Sequence, residues 1–146
     1  MKRLLGFILF LSTIMPVFAQ ETLQVERLFD TFRKHPHAVE LLVKGKELKS
    51  FNLTLFRSLT ISKDDAARKR IEETVLVDTK NAVDKEEGML GGRLYYGFYC
   101  LSSSGKKNRY LFYRNSALRA NASTDESIVI YMEGYATLEE LKAMFM

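Results

Sequence analysis

The sequence predicts an α+β domain, with a mostly antiparallel sheet of about five strands and three helices packed largely on one face. Helix-like and strand-like stretches are grouped in blocks, in the order α-β-β-α-β-β-β-α, and do not alternate strictly. Aromatic and β-branched residues concentrate in the second half of the chain, where turn residues divide them into strands. Residues 20–146 are long enough to bury one core and are expected to form a single domain.

The first half of this domain begins with a helix and continues with two strands. Apolar residues recur at helical spacing over 22–34, and Pro36 ends that helix. Alternating apolar residues predict a strand over 38–43, followed by a turn at Gly45. The same pattern predicts a second strand over 51–61, with a bend near its middle.

A charged, periodic segment predicts a second helix over 64–86, which Gly88 would close. Ser62 followed by Asp65 resembles a capping box at its start. Because Thr74, Val75 and Val77 are β-branched, a short strand over 75–77 is the alternative.

The second half predicts a run of strands and a final helix. Two aromatic strands, 93–102 and 108–115, are joined by a polar link of hairpin length over 103–107. A fifth strand runs over 127–132 after a polar loop. Thr137 and Glu140 then form a capping box that opens the last helix.

The N-terminus has the layout of a secretory signal peptide. Lys2 and Arg3 precede an apolar stretch over 4–15, Pro16 ends it, and small or branched residues lead to Ala19. Because a spanning helix needs roughly 20 apolar residues, this stretch is too short to be a membrane anchor. We expect residues 1–19 to be removed between Ala19 and Gln20, leaving a periplasmic or extracellular protein without a membrane anchor. No cysteine follows the apolar stretch, which excludes lipid attachment there.

Charge and cysteine content narrow the range of partners. Loss of Lys2 and Arg3 with the signal lowers the formal net charge from +4 to +2, which argues against nucleic acid as a partner. Cys100 is the single cysteine, so no intramolecular disulfide forms. Its apolar surroundings in the sequence predict a buried and inert thiol.

The sequence predicts no catalytic residue, no metal site and no cofactor. His35 and His37 flank Pro36 and are expected to lie in a turn, with no acidic or cysteine cluster nearby to complete a metal site. The pairs Glu86–Glu87 and Glu139–Glu140 are adjacent in sequence and do not form ready dyads. An uncharacterised hydrolase acting on envelope or dietary glycans is the alternative function, with distant carboxylates such as Glu40 and Glu133 as a candidate pair.

The tyrosines supply the candidate binding surface. All seven lie between residues 95 and 135, interleaved with arginines. They either pack within the sheet or form a recognition face for a partner protein or a glycan of the cell envelope. Alternation in the strand 94–101 directs Leu94, Tyr96, Phe98 and Cys100 to the core, and Tyr95 and Tyr99 outwards. The candidate binding residues are therefore Tyr95, Tyr99, Tyr113, Arg93, Arg109 and Arg114.

Four stretches of the chain resemble a known group of proteins: residues 48–61, 92–99, 108–115 and 130–134. They look like small exported proteins of Bacteroidetes-type bacteria that are grouped as domains of unknown function. The signal that ends in Ala19 with Gln20 next is similar to exports of those organisms. The resemblance implies a Gram-negative periplasmic or secreted setting, and it implies no catalytic residues.

Overall fold

The computed structural model describes residues 23–104, 107–119 and 121–145, without the side chains of 102–104. Residues 1–22, which include the predicted signal, lie outside the described residues. The strands are β1 (Ala38–Lys44), β2 (Leu53–Ile61), β3 (Asp84–Leu90), β4 (Arg93–Ser104), β5 (Lys107–Asn115) and β6 (Ser127–Gly134). The α-helices of the described part are α1 (Gln24–Thr31), α2 (Asp65–Asp78) and α3 (Leu138–Phe145). Two 3-10 helices, Gly45–Phe51 and Ser116–Leu118, follow β1 and β5.

The strands form one sheet in the order β1-β2-β6-β5-β4-β3, and every neighbouring pair is antiparallel. The predicted α+β class with an antiparallel sheet is confirmed. The sheet has six strands, one more than the sequence predicted. β1 and β3 are its two edges, and β6, the last strand in the chain, lies between β2 and β5.

The additional strand lies where the second helix was expected to continue. α2 ends at Asp78, and residues 84–90 pair with β4 as an edge strand. The prediction of a helix up to residue 86 is therefore wrong in its last part. The alternative strand over 75–77 is also wrong, because Val75 is a buried core residue of α2.

Helices cover both faces of the sheet. Phe29 of α1 and Ile71 of α2 pack with Leu59, Leu111 and Val129 on one face. On the other face, Leu141 of α3 and Leu48 of the first 3-10 helix pack with inward side chains of β4, β5 and β6. The expectation that the helices lie largely on one face is corrected, because α3 and the 3-10 helix bury their apolar sides on the face opposite α1 and α2.

Side-chain caps fix the starts of α2 and α3. Asp64 accepts a hydrogen bond from the backbone N–H of Ala67 at 3.0 Å, so Asp64, and not Ser62, caps α2. The hydroxyl of Thr137 accepts from the backbone N–H of Glu140 at 3.1 Å, as the predicted capping box requires.

Candidate functional site

Two of the six candidate binding residues are buried in the core. Tyr99 and Tyr113 are 0% exposed and pack under α1 and α2. The predicted outward orientation of Tyr99 is wrong because helices cover both faces of the sheet, so side chains of β4 are buried on either side. A register shift opposite Gly88 and Met89 also interrupts the alternation of β4 at Tyr95. Leu94 consequently lies on the same face as Tyr99. Neither Tyr99 nor Tyr113 can contact a partner without unfolding of the helices that cover them.

Burial in the core raises the pKa of both tyrosines. The hydroxyl of Tyr99 donates to Oε2 of Glu87 at 2.9 Å. Burial, followed by this hydrogen bond, raises the pKa of Tyr99 above its usual value. Burial and then the carboxylate of Glu72 raise the pKa of Tyr113 to about 12. Both side chains therefore stay neutral near pH 7 and serve the core.

Arg93 and Arg109 also have partners within the chain. Nε of Arg93 donates to both carboxylate oxygens of Glu72 at 3.0 Å, which ties β4 to α2. Nε of Arg109 donates to the hydroxyl of Tyr131 at 3.1 Å, and that hydroxyl donates to Glu133 at 2.6 Å. These contacts give both arginines structural roles.

The structure does bring Tyr95 and Arg114 together. Both line a polar pocket of about 420 Å³ beside the loop that leads from β5 to β6. Arg119, from that loop, also lines the pocket, and its guanidinium carbon lies 5.5 Å from the centre of the Tyr95 ring. We call this the arginine pocket. The sequence pattern identified two of its residues and missed Arg119, which lies outside the strands.

A second surface lies at the β1 edge of the sheet. β1 exposes Val39, Leu41 and Leu42, with relative exposures of 68%, 52% and 50%. Beside it, a mostly apolar groove of about 450 Å³ runs between the first 3-10 helix and α3, lined by Val43, Leu48, Phe51, Leu53, Phe56, Met144 and Phe145 together with Glu47. Sequence reasoning missed this surface. The alternation of Val39, Leu41 and Val43 revealed the strand, but an edge position depends on the topology of the whole sheet.

The histidines and the acidic candidates have partners within the fold. Nε2 of His35 lies 2.8 Å from Oδ2 of Asp64, and its Nδ1 accepts from the backbone N–H of His37, so the ring fixes a turn. Glu40 pairs with Arg57, and Glu86 pairs with Lys142. In the described ranges, no group of three or more histidine, cysteine, aspartate or glutamate side chains is arranged to hold a metal ion.

No helix among the described residues has the length and apolar character needed to cross a membrane.

Comparison with known proteins identifies a family. No curated protein and no solved structure matches the chain. A family model described as "Family of unknown function (DUF6108)" matches residues 12–145, which is most of the chain. The predicted resemblance to a domain of unknown function is confirmed at that level. On this match, the chain belongs to the family of unknown function DUF6108.

Proposed function

We propose that the protein is an exported, non-enzymatic binding protein that holds an extended segment of a partner protein against the edge of β1. One observation carries this proposal. β1 is an edge strand, and it exposes three large aliphatic side chains beside an apolar groove.

The outer edge of β1 is suited to pairing with another strand. β1 pairs with β2 over all seven of its residues without a register shift, and no other described strand pairs with it. Edge strands are usually protected by charges, proline or bulges. β1 contains no proline, and its one acidic residue, Glu40, is bound by Arg57. The backbone groups along this edge are therefore available to an added strand.

The groove extends the same surface. Val39, Leu41 and Val43 alternate along β1, so they share one sheet face. Val43 lines the groove together with Phe51 and Met144. A strand added to β1 would place every second side chain on this face, next to the groove. An extended segment with alternating apolar residues matches that spacing.

Positive charge at one end of β1 favours a partner segment with acidic residues at its flanks. Lys44 ends β1, and Lys46 and Lys49 lie in the 3-10 helix that follows it. None of the three forms an ion pair within the part of the chain that the structure describes. Glu47 is the one acidic residue that lines the groove. Acidic residues beside the apolar segment would therefore be attracted to this end of β1.

The binding test uses a labelled peptide with valine or leucine at alternate positions and aspartate or glutamate at its flanks. We expect it to bind the purified protein, as measured by fluorescence anisotropy. The double variant Val39→Lys with Leu41→Lys should weaken binding at least about tenfold, because both replacements put a charge where apolar side chains must pack. A peptide with lysine flanks should bind more weakly than the acidic one.

The matched control changes the other edge of the sheet. Val83 directly precedes β3 and Met89 lies in it, and both are exposed. The variant Val83→Lys with Met89→Lys should bind the peptide as the unaltered protein does. Equal loss in both variants, or no binding by the unaltered protein, would overturn the proposal. Light scattering tests a second copy as the occupant, and dimers abolished by the β1 variant alone would assign the surface to self-association instead.

Export rests on the layout of residues 1–19. When the full chain is produced in a Gram-negative host, we expect the purified product to begin at Gln20 and to lie in the periplasmic fraction. The variant Ala19→Arg should remain uncleaved, because the peptidase requires a small residue there. N-terminal sequencing and fractionation check both results. A cytosolic product that begins at Met1 would refute export and leave binding at β1 untouched.

A further inference from the structure

We infer that the arginine pocket binds a monosaccharide that carries an anionic group, either a carboxylate or a phosphate. The pocket is lined by β4, β5 and the loop that follows β5. The groove lies beside β1, which is separated from β5 in the sheet by β2 and β6. The inference is therefore independent of the function proposed for β1.

The anionic group is selected by two arginines that lack acidic partners. The guanidinium groups of Arg114 and Arg119 form no ion pair within the described ranges, whereas Arg33, Arg57, Arg68 and Arg93 each pair with a carboxylate. Asp125, the nearest carboxylate in sequence, accepts hydrogen bonds from the backbone of Lys63 and from Arg68. Two available guanidinium groups in one pocket are suited to a carboxylate or a phosphate.

The remaining lining residues are suited to hydroxyl groups. Asn121, Ser123 and Thr124 line the pocket with side chains that can both donate and accept hydrogen bonds. None of these three side chains forms a hydrogen bond with another described residue. The side-chain hydrogen bonds of this loop are made by Asn115 and Asp125. Tyr95 adds an aromatic ring and a hydroxyl. This combination of amide, hydroxyl and aromatic groups beside arginine favours a sugar over a bare anion.

Hydrogen bonds hold the two ends of the loop. At its start, Oδ1 of Asn115 accepts from the backbone N–H of Ala117 at 3.1 Å. At its end, the backbone carbonyl of Asp125 accepts from Arg68 at 2.9 Å, and Oδ2 of Asp125 accepts from the N–H of Lys63 at 2.9 Å. The contact of Arg119 with the Tyr95 ring fixes the guanidinium above β4.

A neighbouring pocket adjoins the arginine pocket. It shares Arg119 and the loop residues 121–124 with the arginine pocket, and Arg68 lines its other side. Arg68 is 8% exposed, and its Nε has no hydrogen-bond partner in the described residues. A buried, unpartnered N–H donor is costly unless a bound group or a water molecule satisfies it. The guanidinium of Arg68 is already paired with Asp65 and Asp125, and Asp125 also lines this pocket, so Arg68 offers a ligand one hydrogen-bond donor and no unpaired charge.

The test compares three sugars that share one ring with inorganic phosphate, which has none. Isothermal titration of the purified protein is carried out with glucuronate, glucose 6-phosphate, glucose and inorganic phosphate. We expect at least one of the two anionic sugars to bind, and glucose to bind at least about tenfold more weakly than that sugar. The preference between glucuronate and glucose 6-phosphate distinguishes the carboxylate from the phosphate.

Matched variants identify the residues. Arg114→Gln and Arg119→Gln should each weaken binding of the anionic sugar at least about tenfold, while circular dichroism shows an unchanged fold. Arg33→Gln is the control, because Arg33 is an exposed arginine on α1 that pairs with Asp30. Equal binding of glucose, binding of inorganic phosphate as tight as that of the sugars, or unchanged binding by both pocket variants would overturn the inference. Failure of all four ligands to bind would overturn it as well.

Discussion

Replacing Phe29 with alanine is expected to lower the free energy of unfolding by about 4 kcal/mol. Phe29 is 0% exposed and packs between α1 and the sheet. The guanidinium carbon of Arg57 lies 4.0 Å from the centre of its ring, so the substitution removes that cation–π contact together with the buried surface. Urea denaturation followed by circular dichroism measures the change.

Phe51→Ala is the matched control for this prediction. Phe51 is also a phenylalanine, but it is 46% exposed at the mouth of the apolar groove. Because removal of this ring leaves no closed cavity, we expect the free energy of unfolding to fall by less than about 1 kcal/mol. A similar loss in both variants would show that α1 does not complete the core.

Gly97→Ala is expected to cost about 2–3 kcal/mol of stability. A Cβ atom at Gly97 would lie 2.4 Å from Cε2 and 2.5 Å from Cζ of Tyr99. The Tyr99 ring is fully buried and its hydroxyl is bound to Glu87, so the ring cannot move aside without breaking contacts in the core. The midpoint and slope of urea unfolding give the change in free energy.

Gly88→Ala introduces a similar steric clash with a tyrosine ring that is not fully buried. A Cβ atom there would lie 2.2 Å from Cε1 of Tyr96, closer than any contact at Gly97. Tyr96 is only half-buried, so its ring can rotate towards solvent. We therefore expect the free energy of unfolding to fall by less than about 1 kcal/mol. If Gly88→Ala proved as costly as Gly97→Ala, confinement of Tyr99 would not be the cause.

Local signals predicted most of the fold. The existence of β4 and β5 and the cap at Thr137 follow from neighbouring residues alone, and the structure confirms them. β3 was missed because Asp84–Leu90 is rich in charged residues and resembles the exposed face of a helix. Pairing with β4 stabilises this segment as a strand, and a single sequence does not contain that long-range contact.

The candidate site was predicted in part for the same reason. Arginine and tyrosine in β4 and β5 pointed to Tyr95 and Arg114, which the pocket does bring together. The outward orientation of Tyr99 was predicted on the assumption that one face of β4 is exposed, but helices cover both faces of the sheet. Arg119 and the exposed edge of β1 depend on how distant segments meet, so local periodicity could not identify them.

The central place of β6 determines when this protein can finish folding. β1 with β2, and β3 with β4 and β5, pair with neighbours in the chain, but these two halves of the sheet meet only through β6. The sheet therefore stays divided until residues 127–134 have been synthesised and inserted between them. A chain that stops before this segment would have two hairpin-built halves with unpaired inner edges, which is the kind of species that aggregates.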